Sequence, residues 1–313
     1  MHVLVLSGGL SAERDVSLRS GRRVAEALRQ ERPDWDVTEQ DVDGALLDGL
    51  RAQRPDCIVP LLHGAVGEDG ALRNVLESLG IPFVGSSAAA SRLAFDKPIA
   101  KKLAGDAGIA TPDCVAMPQS TFRELGAAAV LDAVITRLGL PIVVKPTKGG
   151  SALGTSIVHM AADLPAAMVG AFAYGDVVLM ECFVEGTEVT VSVFERDGDL
   201  LALSAVEIVP EGELYDYGAR YTAGTTEFFC PARLTEEQAL AAQALALNVH
   251  LLLGLRHLSR TDMIIDDDGV AWFLEVNVAP GMTETSLFPQ ALHAADIPLG
   301  ELTAELVEIA LDR

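Results

Sequence analysis

Short apolar runs, each closed by glycine or a polar residue, alternate with stretches of helical spacing through the N-terminal third of the chain. Residues 3–6 end in Ser7-Gly8-Gly9, residues 57–62 end at His63-Gly64, and 82–84 form a third, shorter run. Between them, 17–28 and 69–79 repeat apolar residues at helix spacing. Few folds satisfy that alternation. Buried strands joined by helices make a parallel α/β layer, whose strand-end loops carry polar residues.

Beyond residue 95 the pattern changes. A helix over 96–107 is broken by Gly108 and Pro112, then come a helix over 126–138, a strand over 142–145, a Gly-rich turn and a strand over 155–159. A helix over 165–172 and a strand over 177–181 complete a small α+β unit with antiparallel strands. Strands over 188–194 and 200–208 meet at an Asp197-Gly198-Asp199 turn, and 209–231 reads as irregular. Thr235-Glu236-Glu237-Gln238 is a capping box opening a helix that runs to 253. Residues 261–265 and 270–277 pair around Asp266-Asp267-Asp268-Gly269 as a final hairpin. The expected division is 1–94, 95–182 and 183–313.

The chain is long enough for such a division, with 313 residues, half of them apolar and 22% charged, a globular composition. A net charge of −22 argues against nucleic acid as the main partner. No apolar run approaches the roughly 20 residues that span a bilayer, and the N-terminus lacks a basic signal-peptide region. A cytoplasmic protein without membrane partners is expected. Cys57, Cys114, Cys182 and Cys230 are scattered and form no CxxC, so reduced thiols are expected.

The final hairpin carries the most chemistry. Glu275 and Asn277 share one strand face, and antiparallel pairing brings Asp262 opposite Glu275, give or take one residue. Two carboxylates and an amide among apolar neighbours suit a hard cation, Mg²⁺ rather than Zn²⁺. A solvated edge hairpin is the other reading. Arg260, two residues before Asp262, suits an oxyanion or phosphoryl group, or a salt bridge to one of these acids. The run Lys145-Pro146-Thr147-Lys148-Gly149-Gly150-Ser151 is a strand ending in lysine before a Gly-rich turn whose N–H groups can fold over phosphates. It lacks the Walker order. Lys97 is a second phosphate candidate. In Glu181-Cys182-Phe183-Val184-Glu185-Gly186-Thr187-Glu188, the backbone can meet a base edge and a carboxylate can meet a ribose. An ordinary strand–turn–strand reads the same way.

Together and in this order, these motifs resemble the ATP-grasp superfamily and, within it, the D-alanine–D-alanine ligases. The resemblance adds Ser7–Ser17 (SGGLSAERDVS), Leu62-His63-Gly64 with Gly67-Glu68-Asp69-Gly70, Tyr215-Asp216-Tyr217 with Tyr221, and Pro280-Gly281-Met282-Thr283 with Ser286-Leu287. It implies a three-domain ATP-grasp architecture, an N-terminal parallel α/β domain plus two α+β domains clasping ATP. The implied reaction phosphorylates one D-alanine with ATP, and the amine of a second D-alanine displaces phosphate to give D-alanyl-D-alanine for peptidoglycan. Two Mg²⁺ (or Mn²⁺) would sit on Asp262, Glu275 and Asn277. ATP would meet Lys97, Lys145, Ser151, Glu181, Phe183, Val184, Glu188 and Arg220. Glu13, Ser151 and Tyr221 would form a hydrogen-bonded set, with Arg260 and the Gly281 N–H as oxyanion hole. D-alanine would meet Glu13, His63, Arg260, Gly281, Ser286 and Leu287. A homodimer is implied.

The sequence departs from the family's usual residues at Ala152, Cys182, Arg220 and Val278, around the nucleotide and loop rather than the metal ligands. The alternatives are a ligase with another acceptor, or a paralogue that binds nucleotide with weak turnover.

Overall fold

The computed structural model describes residues 1–11, 13–222 and 224–312, with the side chains of Val66, Tyr217 and Tyr221 outside that description. The N-terminal layer contains β1 (His2–Ser7), α1 (Arg14–Glu31), β2 (Asp36–Asp41), α2 (Leu46–Ala52) and β3 (Cys57–Pro60). Three short helices follow, α3 (Ala65–Glu68), α4 (Ala71–Ser78) and α5 (Ala88–Phe95). The strands are parallel in the order β2-β1-β3. Central β1 is covered on both faces, which is why Val3, Leu4, Val5 and Leu6 form an unbroken apolar run. α1 lies close over its end, because a Cβ on Gly21 would come within 2.6 Å of Ser7 Cβ.

The next layer runs through α6 (Lys97–Asp106), β4 (Cys114–Pro118), α7 (Gln119–Leu125), α8 (Ala127–Leu138), β5 (Ile142–Pro146) and β6 (Ser156–Val158). It ends with α9 (Leu164–Phe172) and β7 (Val177–Cys182). Asp96 caps α6, its carboxylate accepting the Ile99 N–H at 3.3 Å. The sheet is antiparallel in the order β4-β7-β5-β6, and Val130, Val134, Ile142, Val144, Met168 and Val178 fill its core.

The third layer holds β8 (Thr187–Arg196), β9 (Asp199–Ala202), β10 (Val206–Pro210), α10 (Tyr217–Tyr221), β11 (Thr226–Phe229) and α11 (Glu236–Leu252). β12 (Leu258–Ile265), β13 (Ala271–Asn277), α12 (Leu287–Ala294) and α13 (Leu299–Leu311) complete it. Its strands run β11-β10-β8-β12-β13, with β9 on β8. The expected capping box opens α11 with both reciprocal hydrogen bonds. The final helix returns to the start of the chain. Leu302 and Leu306 of α13 share one core with Val3, Val5, Val24 and Leu28, and with Phe194 and Leu258 of the third layer.

The structure corrects the sequence in four places. The span 200–208 is two strands, because Leu203 turns in to bond Ser192 O and β10 then pairs afresh with β8. The stretch 209–231 is not structureless, since α10 and β11 lie within it and β11 extends the sheet through β10. The run 82–84 makes only an isolated bridge, Ile58 to Phe83. β2 and β4 were unforeseen: both are polar or short, and both lie at a sheet edge.

Candidate active site

β12 and β13 pair in the register that places Asp262 opposite Glu275 and Arg260 opposite Asn277, with a bulge after Asp262. The Asp262 carboxylate is gripped on both oxygens. Arg260 Nε donates to Oδ1 and Nη2 to Oδ2, each at 2.8 Å, and Thr190 Oγ1 donates to Oδ1 at 2.7 Å. Burial opposes the Arg260 charge, but the contact with Asp262 outweighs it and holds the guanidinium proton above the ordinary arginine range. Lys97 Nζ sits 3.0 Å from Glu275 Oε2 and donates to Gly149 O at 2.7 Å. Burial works against Glu275 ionising, yet Lys97, Lys145 and Arg220 win and bring its carboxyl down to about 2. Asn277 Oδ1 accepts the Ala279 N–H at 2.8 Å.

At the far end of the same hollow, Glu181 is buried between two lysines. Lys145 Nζ is 2.5 Å from Oε1 and Lys101 Nζ 2.8 Å from Oε2, the latter an ion pair without good hydrogen-bond alignment. Burial pushes Glu181 up, and the two ammonium groups pull it below the usual carboxylate range. A cavity of about 430 Å³ joins these groups. Lys97, Lys145, Glu181, Phe183, Val184 and Glu188 line it, together with Arg220, Asp262 and Glu275. Burial raises Glu188 to about 7, against the opposing pull of Arg220. Arg220 stacks 4.3 Å over the Tyr215 ring and donates from Nε to Tyr215 O at 3.2 Å. The Gly-rich turn bends sharply at Gly149, Ser151 and Ala152, with φ of 122°, 54° and 52°.

Ser151 does not line this large cavity. It faces a second one, of about 80 Å³, with Glu13, His63, Arg260, Asn277, Gly281, Ser286 and Leu287. All six residues expected at D-alanine therefore meet in one place. Ser151 Oγ donates to the Glu13 carboxylate, joining the Gly-rich turn to the N-terminal layer. Burial lowers His63, so its ring is neutral; Nδ1 donates to Ala279 O at 3.0 Å, and Nε2 faces Ser20 Oγ at 3.4 Å. The turn after β13 is drawn in from behind, because Arg23 Nη1 donates to Met282 O at 3.0 Å and Thr283 O at 2.7 Å. Ser286 Oγ accepts the Thr283 N–H at 3.1 Å and crowds Gly281, where a Cβ would lie 2.7 Å from it. The two cavities share Gly150, Arg220 and Glu275. An anion in the large cavity and a carboxylate in the small one would therefore meet at this boundary. The Tyr221 side chain lies outside the described residues.

Two side chains in this site escaped the sequence reading as functional groups. Lys101 looks like any helix lysine, and its one signal is the four-residue spacing from Lys97. Glu68 lines the small cavity, accepts the Gly64 N–H at 2.8 Å, and is raised to about 8 by burial, with Glu13 adding to the shift.

A family model described as "D-ala D-ala ligase C-terminus" matches residues 103–308. A D-alanine–D-alanine ligase of Nitrosospira multiformis is 43% identical over 98% of this chain and 96% of its own, and one of Pelotomaculum thermopropionicum is 39% identical over 100% and 97%. The chain belongs to the D-alanine–D-alanine ligase family. Among solved structures, the D-alanine–D-alanine ligase of Bacillus anthracis superposes with a TM-score of 0.83 at 30% identity, covering 100% of this chain and 98% of that one. The D-alanyl-alanine synthetase A of Vibrio cholerae superposes at 0.87, with 28% identity and coverages of 100% and 98%. The mixed fold is the ATP-grasp architecture expected of the ligase family. Of the four departures, one is packed in the core. Val278 is buried, and Cys182, half-buried at the edge of the large cavity, donates its thiol to Leu138 O at 3.3 Å. Arg220 alone faces both cavities.

Proposed function

We propose that the two cavities are successive stations of one reaction, the large one for ATP and the small one for two D-alanine molecules. The activity is that of an ATP-dependent carboxylate–amine ligase, forming D-alanyl-D-alanine for peptidoglycan precursor. The observation that carries this reading is the shared boundary at Gly150, Arg220 and Glu275, with all six expected D-alanine residues on its small side.

In this reading Glu13 holds the ammonium of the first D-alanine and points its carboxylate at the boundary. An oxygen of that carboxylate attacks the γ-phosphorus, and the bond to ADP breaks. Lys97, Lys145 and Arg220 offset the charge on the transferring group. The free amine of the second D-alanine then adds to the acyl phosphate. Arg260 and the Gly281 N–H hold the oxyanion, and phosphate leaves as the amide forms. Ser286 and Leu287 seat the second carboxylate. The Ser151–Glu13 bond keeps the Gly-rich turn over the intermediate and excludes water. Glu181, Phe183 and Val184 face the adenine, and Glu188 the ribose.

Asp262, Glu275 and the Asn277 amide oxygen fit a hard divalent ion by donor type, all oxygen with two negative charges. Among the described residues no three His, Cys, Asp or Glu side chains cluster as a metal site, so the protein offers two carboxylates and one amide oxygen at most. Mg²⁺ or Mn²⁺ held by these residues would supply charge neutralisation for phosphoryl transfer. The reading includes domains of 1–94, 95–182 and 183–313, a cytoplasmic location and a homodimer. The shared core of the first and third layers supports treating those two as one rigid frame, with the middle layer as its lid. Among the described residues no helix is long and apolar enough to cross a membrane.

The test is phosphate release from Mg-ATP with and without D-alanine. Release that does not depend on D-alanine would end this reading. A second acceptor has one argument in its favour, the superposition of a D-Ala:D-Ser ligase from Enterococcus faecalis at a TM-score of 0.82 and 26% identity. Competition between D-alanine and D-serine, scored by product mass, separates the two.

A further inference from the structure

α6 projects Lys97 and Lys101 from one face, four residues apart. Lys97 reaches Glu275 and the Gly-rich turn. Lys101 is almost wholly buried, lies outside the lining of the nucleotide cavity, and spends its charge on Glu181 Oε2. The other oxygen of that carboxylate holds Lys145. One buried carboxylate therefore serves two ammonium groups, with a surplus positive charge in a largely buried site. Each lysine repels the other, so Lys145 is held on Glu181 less firmly than in an isolated pair.

A polyphosphate offers Lys145 a better partner. When Lys145 turns to it, Glu181 Oε1 is vacated while Oε2 stays fixed by Lys101. The vacated oxygen belongs to a carboxylate that lines the cavity beside Phe183 and Val184. A carboxylate oxygen only accepts hydrogen bonds. It suits the 6-amino donor of adenine and repels the 6-oxo acceptor of hypoxanthine or guanine.

We propose that Lys101 is a positioning residue that couples base selection to phosphate capture: by holding Glu181 Oε2 it lets Lys145 leave for phosphate and presents Oε1 to the adenine amine. Without Lys101, Glu181 and Lys145 form a neutral buried pair that has no reason to part. Phosphate loses a lysine and the base loses its acceptor in a single substitution.

The inference rests on the nucleotide reading above, and one experiment separates their failures. kcat and KM are measured for ATP and for ITP, with saturating D-alanine, in the wild type and in Lys101→Met. The wild type prefers ATP. Lys101→Met raises the KM for ATP and lowers the ATP-over-ITP preference by about tenfold, the effect of one hydrogen bond to a charged group. The KM for D-alanine stays where it was. A wild type that turns over neither nucleotide removes the nucleotide reading, and one that uses ATP and ITP alike removes the inference, because no base selection is left for Lys101 to couple. A wild type that prefers ATP beside a folded Lys101→Met with the same preference removes the inference alone. Lys101→Gln keeps a donor without the charge. It must shift the preference in the same direction, and it decides the matter if the methionine variant does not fold.

Discussion

Glu68→Gln is expected to make the protein more stable at neutral pH, by an amount that grows with pH. Burial and the Glu13 charge raise the Glu68 carboxyl from 4.5 to about 8, against the weaker opposing pull of Lys97 and Arg73. A carboxyl raised by folding binds its proton more tightly in the folded chain than in the unfolded one. Below about pH 4.5 both states carry the proton and nothing is gained or lost. As pH rises, the unfolded chain ionises while the folded chain does not, so the wild type loses about 1.4 kcal/mol per pH unit at this residue. The accumulated loss is about 3 kcal/mol by pH 7, and it levels off near the folded value. Glutamine keeps the oxygen that accepts the Gly64 N–H and has no proton to lose. The two proteins should match near pH 4, differ by about 1 kcal/mol at pH 5 and diverge further through pH 7, the variant being the more stable. Urea unfolding followed by the emission of Trp35, which packs in the N-terminal core, reads this directly. Curves separated by the same free energy at pH 5 and pH 8 would refute the reasoning, because a packing effect has no such slope.

Three other substitutions probe the site from different sides. Gly281→Ala places a Cβ 2.7 Å from Ser286 Oγ, so the turn must shift; kcat/KM for the second D-alanine should fall about 100-fold, read by varying D-alanine at saturating ATP. Arg260→Lys replaces two 2.8 Å bonds to Asp262 with one point charge, and kcat should fall about 100-fold while far-UV circular dichroism is unchanged. Arg220→Lys gives up the stack on Tyr215 and the bond to its carbonyl, and the KM for ATP should change by more than the KM for D-alanine, as separate titrations of each would show.

The parts of the fold legible in the sequence were those whose burial is periodic. The apolar run of β1 and the capping box of α11 announce themselves, and the final hairpin's register follows from its turn, down to Asp262 opposite Glu275. β2, with its sequence DVTEQD, escaped because only Val37 is fully buried there; an edge strand needs one apolar contact, not an alternation. In the site, glycine and carboxylate motifs were readable because their spacing is local. Lys101 and Glu68 were not, because a lysine on a helix and a glutamate after a glycine acquire their meaning only when distant β7 and Glu13 close over them. The sequence placed Ser151 both with the nucleotide and with Glu13; its hydroxyl turns to Glu13 and lines the small cavity.

The seating of α13 sets an order of events at the ribosome. The apolar face of β1 and α1, with Val3, Val5, Val24 and Leu28, emerges first, yet its cover includes Leu302 and Leu306 near the far end of the chain. All three layers must be made before that face is closed, and until then it is a sticky surface that a nascent-chain chaperone would hold. Loss of α13 would uncover both the first layer and the Phe194 and Leu258 side of the third, so a helix made late holds the layer made early.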